Sequence, residues 1–529
     1  MTDTGSDSAV TTAIDGGGAG EALLEPGRNV WRVERADDLG LIVDAADYFV
    51  RLRQALMAAH RQILLIGWDF DFEIEMLPGE SDEDGLAPDG LPNPVGKFIE
   101  ALVERTPGLR IFLLKWNGAL LMAPGRILPS VVMQVWSQER IRFALDGHHP
   151  FGSCHHHKIV VVDDALAFCG GIDVTDERWD TPEHMPGDPR RLRKDGSPSP
   201  PWHDATSAMT GPVAKALGEL SRERWLRATG ETLEAPQGSS DVAWPDGLAS
   251  QAHGVEVGIA RTSPPYDGSE LVNEIERLYL DGIAAARETI YLESQYFSAS
   301  SVTDAIERRL RETGGPEVIV VNPQAALSRL EDSAMHPIRG RMVERLRAAD
   351  HEGRFRIWHP ANAADEPIYV HAKVMLVDDR LLRLGSSNLD DRSMGFDTEC
   401  DVAFEGKDEG SRSAILAFRH RLLAEHLGAT PEEVAAATAE HGSLIAAVEA
   451  LNRLEARGLR RIERMPESIV DRLMADSRLL DPRFRPGRPT TAGRGVRPRH
   501  LAIGGAVALG LGFALWAIRR KAKGRRRTG

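Results

Sequence analysis

One short motif occurs twice in this chain and constrains its fold more than any other feature. The motif H-x-K-x4-D has its histidine, lysine and aspartate at His156, Lys158, Asp163 and again at His371, Lys373, Asp378. Six residues after each aspartate comes a turn of small residues, GGID at 170–173 and GSSN at 385–388. Three fixed residue types with matched downstream turns would rarely recur by chance. The chain is therefore expected to contain two related halves.

The motif residues are suited to phosphate chemistry. Each motif lies in a β-branched apolar run, which predicts a buried strand. Side chains two positions apart share one face of a strand, so His156 and Lys158 should point the same way, as should His371 and Lys373. A lysine can neutralise phosphate oxygens while a histidine attacks or donates a proton. A single H-x-K would suit a surface pair, but its duplication favours one site with two histidines and two lysines.

The duplication extends beyond the motifs. Apolar strand-like segments recur in the same order before and after each motif. The matched pairs are 63–66 with 290–293, 109–116 with 318–322, 141–145 with 355–358, and 165–168 with 380–383. Helical periodicity occurs between them at 46–59, 95–103, 269–287 and 302–311. This alternation predicts an α/β fold with a mostly buried sheet.

The paired motifs resemble those of the phospholipase D superfamily, whose members build one active site from two such motifs. The similarity covers roughly Val30 to Leu427 and is closest to eukaryotic-type and related bacterial phospholipases D. Further strings that support it are 170–173, 178–180, 201–204, 294–297 and 385–393. The resemblance implies two fused, repeated α/β halves that share one active site at their interface.

The resemblance also implies the roles of the motif residues. The usual order in the family makes His156 the nucleophile and His371 the acid/base, although the symmetry of the sequence alone leaves that order open. Lys158 and Lys373 would bind the phosphate. Asp163 and Asp378 are interpreted as acids that brace each motif. A direct role of these two aspartates in the chemistry is disfavoured.

Supporting residues follow from the same resemblance. Asp180 and Glu399 match acids that support the catalytic histidine of the other half, where a carboxylate fixes the tautomer of the ring. Asn388 is the expected phosphate ligand of the second turn, which also contains Ser386. Asp173 stands where many members have asparagine, and its negative charge makes a direct role in phosphate binding doubtful.

The function implied is that of a phosphoric diester hydrolase. It would cleave the head-group phosphodiester of a glycerophospholipid through a phosphohistidine, giving phosphatidic acid and an alcohol, with transphosphatidylation when an alcohol replaces water. A cardiolipin synthase-like phosphatidyltransferase is the alternative, although N-terminal membrane helices common in that group are not seen. A nuclease of the same superfamily is disfavoured by the acidic body. A non-enzymatic scaffold fits least, because both motifs are intact.

Neither a metal nor another cofactor is expected at this site. The resemblance implies catalysis without a metal, and the duplicated motif explains His156 without one. Histidines also stand at 155 and 157, on either side of His156. A zinc site built from Cys154, His155 and His157 is an alternative interpretation of these residues. The three cysteines, Cys154, Cys169 and Cys400, lack metal-ligand spacing and suit a reduced cytoplasmic protein rather than a disulfide scaffold.

The C-terminal region differs from the body. Leu501 to Ile518 is an uncharged apolar run between basic flanks, and as a helix it would span about 27 Å. We interpret it as a transmembrane or interfacial helix. The expected segments are 1–27 (disordered), 28–250 and 251–428 (the two halves), 429–476 (helical), 477–500 (basic linker), 501–518 (membrane helix) and 519–529 (basic tail).

Charge divides the chain in the same way. From Arg483 onward there are 13 Lys or Arg and no Asp or Glu, whereas the whole chain has a net charge of −15. The basic end would attract anionic lipid, and the acidic body argues against nucleic acid as a partner. The expected partners are therefore a phospholipid substrate and a membrane surface, with the protein active as a monomer.

The membrane topology stays open at this point. Without a visible secretory signal the body should remain cytoplasmic, yet the basic tail also prefers the cytoplasmic side. Both cannot hold for a simple single span. Either the short tail crosses despite its charge, or 501–518 lies shallowly in the interface.

Overall fold

The structure is a computed structural model that describes residues 22–118, 139–238, 242–463 and 481–482. Apart from 150–152, these residues belong to one compact unit. Residues 150–152 group with a second unit whose remainder, 484–529, lies outside the described residues.

Eighteen strands occur in the described residues. They are β1 (Arg32–Val43), β2 (Gln62–Gly67), β3 (Arg110–Trp116), β4 (Ile141–Asp146), β5 (Ile159–Val162), β6 (Leu166–Gly170), β7 (Trp202–His203), β8 (Ala205–Thr210), β9 (Ala252–Ser263), β10 (Val272–Asn273), β11 (Thr289–Glu293), β12 (Glu317–Val321), β13 (Phe355–Ala361), β14 (Tyr369–Val370), β15 (Val374–Val377), β16 (Leu381–Gly385), β17 (Glu399–Glu405) and β18 (Gly458–Arg461).

Nine helices accompany them in the described residues. They are α1 (Ala45–Met57), α2 (Val95–Arg105), α3 (Pro212–Thr229), α4 (Glu274–Ala285), α5 (Ser300–Arg311), α6 (Arg329–Ala349), α7 (Glu409–Leu427), α8 (Pro431–His441) and α9 (Leu444–Leu451). The predicted helices and paired strands are confirmed to within a few residues, except that the helix predicted from 269 begins at Glu274.

One large mixed sheet dominates the architecture, and β1 and β9 pair antiparallel at its middle. Outward from β1 the order is β8, β6, β5, β2, β3, β4, which we call the first arm. Outward from β9 the order is β17, β16, β15, β11, β12, β13, β18, which we call the second arm. Each strand of the first arm has a counterpart of the same orientation in the second. The mixed α/β class predicted from the sequence is therefore confirmed.

The strands are buried on both faces, as their apolar runs predict. Along β5, Val160 and Val162 pack towards α1 and α2, while Ile159 and Val161 enter a central core with α3 and α7. A third core packs α4, α5 and α6 against the second arm. All three cysteines are buried and free.

The motif residues are not placed as the sequence predicted. β5 begins at Ile159 and β15 at Val374, so His156, Lys158, His371 and Lys373 lie in the extended segments just before those strands. A two-stranded parallel ladder of β7 with β14 lies beside the second of these segments. These four residues therefore occupy strand ends, where side chains can leave the sheet.

The ends of the body need two corrections. Residues 22–27, expected to be disordered, are described, and Leu24 is buried in the third core. The capping box predicted at Thr430 is present, with its hydroxyl accepting from Glu433 N–H. The region after α9 is not wholly helical, because β18 extends the sheet.

No helix of the described residues is long and apolar enough to cross a membrane. The predicted segment Leu501 to Ile518 lies outside the described residues, as do 1–21 and 464–480.

Candidate active site

The two motif histidines are brought together by reciprocal backbone hydrogen bonds between the arms. His156 N–H donates to Thr398 C=O at 2.8 Å, and His371 N–H donates to His203 C=O at 2.8 Å. In each case the acceptor precedes an acid, Glu399 or Asp204. Each motif histidine is therefore held by a backbone carbonyl of the opposite arm. The site forms only where the two arms meet.

The ring of His156 is fixed by the second arm. Its Nδ1 lies 2.9 Å from Ser386 C=O and 3.1 Å from Glu399 Oε2. A carbonyl oxygen can only accept, so Nδ1 carries the proton and the neutral ring has its lone pair on Nε2. Glu399 is itself held by Ser386 Oγ at 2.6 Å and Ser393 Oγ at 2.8 Å. The contact expected between Glu399 and His156 is present.

The acid against His371 is Asp204, whose Oδ2 lies 2.6 Å from Nδ1. The expectation that Asp180 would fill this position is wrong. Asp180 instead accepts from the Nδ1 side of His184 at 2.9 Å and forms an ion pair with Arg191 at 3.0 Å.

Strand register explains the difference. Gly170 pairs with Thr206 and Gly385 pairs with Asp401. Asp204 and Glu399 each lie two residues before those partners, so they occupy equivalent positions. Asp204 lies 48 positions after His156, whereas Glu399 lies 28 positions after His371. The connection between β6 and β8 is longer than the one between β16 and β17. For this reason Asp204 lies farther along the sequence from its motif than Glu399 does.

A glycine makes room for Asp204. A Cβ on Gly171 would lie 2.2 Å from Asp204 Oδ1, which is far inside van der Waals contact. The equivalent position in the second arm is Ser386, whose hydroxyl supports Glu399. The two sequences of the turn, GGID and GSSN, therefore match the two acids: the glycine accommodates Asp204 and the serine donates to Glu399.

The two lysines lie at the centre of the site and differ in their partners. Lys158 Nζ donates to His156 C=O at 3.0 Å and lies 3.0 Å from Asp173 Oδ2. Lys373 is fully buried and donates to His371 C=O. Burial lowers the pKa of Lys373 to about 7, Asp204 opposes that shift, and Lys158 adds to it.

The two turns differ in what they offer a phosphate. Asp173 is already engaged, since Oδ1 accepts from Trp68 N–H at 3.0 Å and Oδ2 pairs with Lys158. Asn388 is 5% exposed, and its Oδ1 has no hydrogen-bond partner among the described residues. A buried amide without partners is costly unless a ligand completes it, so Asn388 is the turn residue available to a substrate.

Burial also sets the protonation of the central groups. It lowers the pKa of His156 and of His371 well below 6.5, and the neighbouring lysines lower it further. It raises the pKa of Glu399 to about 8 and raises that of Asp204 above its usual range. Neutral rings beside two lysines form a site that favours an anionic ligand.

The motif aspartates lie away from this centre. Each carboxylate accepts from three consecutive backbone N–H groups at 2.7 to 2.9 Å, just before or at the start of the strand next to its motif. The donors are His60, Arg61 and Gln62 for Asp163, and Arg287, Glu288 and Thr289 for Asp378. These aspartates brace β2 and β11 and do not face the histidines.

Three residues near His371 were not given roles from the sequence. The ring of Trp202 lies 5.1 Å from that of His371 and 4.7 Å from that of Tyr369, centroid to centroid. The guanidinium of Arg178 lies 4.3 Å over Trp202. Arg178 and Trp202 belong to the sequence segments 178–180 and 201–204 that supported the resemblance. Their position beside His371 becomes visible only in the fold.

Among the described residues, Cys154, His155 and His157 do not belong to the groups whose ligand atoms lie close enough together to share a metal ion. His155 Nε2 lies 3.0 Å from Asp146 Oδ1 and 2.9 Å from Arg224. The ring of His155 is therefore engaged in a buried pairing with Asp146 and Arg224.

Comparisons with known proteins agree with this geometry. A family model described as phospholipase D matches residues 146–312, and one described as cardiolipin synthase, PLD-like domain, matches 279–417. Together they span both motifs. The chain belongs to the phospholipase D superfamily.

Curated relatives cover most of the body at low identity. Phospholipase D alpha 1 of Vigna unguiculata is 24% identical over 519 aligned positions, covering 71% of this chain and 63% of that protein. Phospholipase D A of Dictyostelium discoideum is 22% identical, covering 74% of this chain and 36% of that protein. The chain thus spans less than two thirds of the length of either relative.

A solved structure shares the fold. The crystal structure of phosphatidylserine synthase from Haemophilus influenzae Rd KW20 matches with a TM-score of 0.50 at 12% identity. The match covers 83% of this chain and 93% of that one. It supports the architecture of the sheet and carries no information on substrate.

Proposed function

We propose that this protein is a phospholipase D-type phosphodiesterase, which hydrolyses the head-group phosphodiester of a glycerophospholipid to phosphatidic acid and an alcohol. The observation that carries the proposal is the meeting of His156 and His371, each with Nδ1 against a carboxylate, beside two buried lysines. The family models and the phospholipase D relatives support a phosphodiesterase hydrolase.

The different partners of the two rings support different roles. The Ser386 carbonyl keeps the proton of His156 on Nδ1, which leaves the Nε2 lone pair free to attack phosphorus. His371 faces only a carboxylate at Nδ1. When the Asp204–His371 pair holds two protons, one lies between the two side chains and the other lies on Nε2 of His371, from which it can be donated. His156 is therefore the nucleophile of the proposal and His371 the acid.

The first step forms a bond from Nε2 of His156 to phosphorus and breaks the bond from phosphorus to the head-group oxygen. The leaving oxygen takes the proton of His371 Nε2. In the second step water gives a proton to His371 Nε2 while its oxygen attacks phosphorus. The P–N bond then breaks and its electron pair returns to His156.

Phosphate recognition falls to three side chains in this proposal. Lys158, which is ion-paired with Asp173, and Lys373 supply the cationic groups, and Asn388 supplies an amide. Binding of the diester anion would raise the lowered pKa of Lys373 and favour its charged form. Asp173 acts through Lys158, as its ion pair indicates.

We further infer that the two arms are fused repeats that share this single site. The matched strand order and orientation and the equivalent register of Asp204 and Glu399 support the inference. Each arm supplies one nucleophilic or acidic histidine and the carboxylate for the other arm's histidine.

A phosphatidyltransferase is the second candidate, because the family model over 279–417 carries the description of cardiolipin synthase. In the same mechanism an alcohol on a second lipid would replace water in the second step. Product analysis separates the two.

The experiment uses the purified full chain with monomeric short-chain phosphatidylcholine, phosphatidylethanolamine or phosphatidylglycerol, and with single-stranded DNA. We expect phosphatidic acid and free head group from at least one lipid, and a phosphatidylalcohol when ethanol is added. Cardiolipin formed from phosphatidylglycerol would favour the transferase, and cleavage of DNA alone would refute a lipid substrate. His253→Ala, at an exposed histidine of β9, is the matched control for His156→Ala.

Membrane association is part of the proposal. The apolar run Leu501 to Ile518 with its basic flanks supports an anchor that holds the site near phospholipid, with the body in the cytoplasm. A phospholipid substrate and a membrane surface are then the partners, and one chain suffices for activity.

A further inference from the structure

Behind Asp204 lies a second cluster of ionisable side chains that the mechanism does not use. Asp44 follows β1, His184 lies in the connection after β6, His203 is in β7 and Glu425 is in α7. Their ligand-type atoms all lie within 4.8 Å of one another. The side chains of Asp44, His184 and His203 are 0% exposed and that of Glu425 is 5% exposed. Four distant segments of the chain converge on this point.

The spacing of these atoms suits a small coordination sphere. Glu425 Oε1 lies 2.6 Å from His203 Nδ1 and 3.2 Å from His184 Nε2. Asp44 Oδ2 lies 3.7 Å from His184 Nε2, and Asp44 Oδ1 lies 3.4 Å from His203 Nδ1. Tetrahedral ligands at bond lengths near 2.05 Å are about 3.3 Å apart. Three of these four separations lie close to that value, and the contact from Glu425 to His203 would have to lengthen to reach it.

One atom of the cluster is left without a partner. Asp44 Oδ2 is buried and has no hydrogen bond among the described residues. Its other oxygen accepts from Asp204 N–H at 3.1 Å. An unsatisfied buried carboxylate oxygen is costly, and here it points at the imidazole of His184.

The far nitrogen of each imidazole is held as metal ligands usually are. His184 Nδ1 lies 2.9 Å from Asp180 Oδ2, and His203 Nε2 lies 2.9 Å from Glu293 Oε2. A metal-bound histidine commonly donates its second N–H to a carboxylate, which fixes the tautomer and ring orientation. These contacts leave His184 Nε2 and His203 Nδ1 as the lone pairs that face Asp44 and Glu425.

The buried carboxylates in and around this cluster favour a nearby positive charge. Asp44, Asp180, Glu293 and Glu425 are all buried, and among the described residues only Asp180 has an arginine ion pair, with Arg191. The guanidinium of Arg457 also acts on Glu425 and Asp44, and protonated imidazoles or a bound ion supply the rest of the positive charge. A divalent ion replaces two such protons without changing the net charge.

We propose that Asp44, His184, His203 and Glu425 bind one divalent transition-metal ion, for which two imidazoles and two carboxylates in a closed site best match zinc. The ion is structural, because four protein ligands leave no open position. The resemblance implies catalysis without a metal, and this ion takes no part in the reaction.

The proposed ion would stabilise the catalytic centre from behind. His203 gives its carbonyl to His371 N–H, and the next residue, Asp204, pairs with the ring of His371. Asp44 in turn accepts from Asp204 N–H. An ion bound to both Asp44 and His203 fixes the short segment that presents Asp204 to His371.

The first test is the metal content of the full chain, purified without chelator and measured by inductively coupled plasma mass spectrometry. We expect about one zinc per chain in the wild type and less than about 0.2 in His184→Gln. His155→Gln, at a buried histidine outside the cluster, is the matched control and should retain the ion. Equal zinc in the wild type and in His184→Gln would overturn the proposal.

A second measurement does not depend on the folding of a variant. Wild-type protein treated with a strong chelator should melt at a lower temperature and recover on addition of Zn²⁺. Loading with Co²⁺ instead should give the visible absorption of a tetrahedral site. Asp180→Asn should weaken zinc affinity about 10- to 100-fold in a chelator competition. If the wild type contains no stoichiometric metal and Zn²⁺ and Co²⁺ leave its melting unchanged, protonated imidazoles balance the cluster and the proposal fails.

Discussion

Asp204 Oδ2 lies 2.6 Å from Nδ1 of His371, and the two residues come from opposite arms of the sheet. In the proposed mechanism this pair belongs to the acid, His371, as the contact with Glu399 belongs to the nucleophile, His156. It also replaces the pairing of His371 with Asp180 that sequence spacing suggested.

The Asp204–His371 pair predicts a dependence on the leaving group. Asp204→Asn should lower kcat by about 10²- to 10⁴-fold on a phospholipid, because the acid of the first step is no longer supported. The loss should be much smaller with a p-nitrophenyl diester, whose leaving group needs no proton. Steady-state rates on both substrates provide the test.

Asp180→Asn is the comparison for that experiment. Measured with Zn²⁺ in excess, so that the cluster behind Asp204 keeps any ion it binds, Asp180→Asn should lower thermal stability yet leave the ratio of the two rates as in the wild type, since Asp180 does not contact His371. A changed ratio in Asp180→Asn with an unchanged one in Asp204→Asn would contradict the assignment.

The tautomer of His156 predicts which histidine becomes phosphorylated. His156→Ala should form no covalent adduct, whereas His371→Ala should form one with the p-nitrophenyl diester and hydrolyse it slowly. Mass spectrometry after an alkaline quench, which preserves phosphohistidine, detects the adduct. An adduct mapped to His371 in the wild type would reverse the two roles.

Gly171 gives a steric prediction. In Gly171→Ala the new Cβ would lie 2.2 Å from Asp204 Oδ1, so the carboxylate must move away from His371. We expect kcat to fall by about 100-fold, the cost of a displacement near 1 Å at a reacting centre. Gly340→Ala, in α6 where a Cβ meets nothing within 4 Å, should leave kcat unchanged. A wild-type rate in Gly171→Ala would show that Asp204 need not be so close.

The pKa of Lys373 predicts the alkaline limb of activity. Its cationic form is lost as the pH rises through about 7 in the substrate-free protein. Because kcat/KM reports the free enzyme, it should fall about tenfold per pH unit above that point. In Lys373→Arg the residual activity should lack this limb, since guanidinium stays charged. A limb at the same pH in both proteins would assign it to another group.

The C-terminal segment predicts a separation of binding from chemistry. A chain truncated after Arg499 should leave the membrane fraction, lose activity on bilayer vesicles and keep it on monomeric short-chain lipid. Neutralising Arg525, Arg526 and Arg527 should weaken binding to anionic vesicles more at low salt than at high salt. Full pelleting of the truncated chain with membranes would refute the anchor.

The sequence predicted most of the sheet, because duplicated apolar runs identify strands whatever their partners. It predicted the contact of Glu399 with His156, because the second arm keeps a short connection between β16 and β17. It missed Asp204, because the connection before β8 is longer than its counterpart in the second arm. Equivalent positions in the two halves of the sheet therefore lie at different distances from their motifs in the sequence. Asp180, which has the expected spacing, lies against His184 instead.

The cluster behind Asp204 lay beyond sequence reasoning for a different reason. Asp44, His184, His203 and Glu425 come from four segments with no common spacing, so no local motif marks them. The placement of His156 and Lys158 before β5, and not within it, was missed because an apolar run does not show where strand pairing begins.

The reciprocal backbone bonds have a consequence during protein synthesis. His156 is held by Thr398 and His371 by His203, so the first motif waits for a segment translated more than 200 residues later. Until that segment leaves the ribosome, the nascent chain has one unanchored histidine and no opposing carboxylate. If the proposed mechanism holds, catalytic competence arises in a single late event, and incomplete chains should be inert towards phosphodiesters.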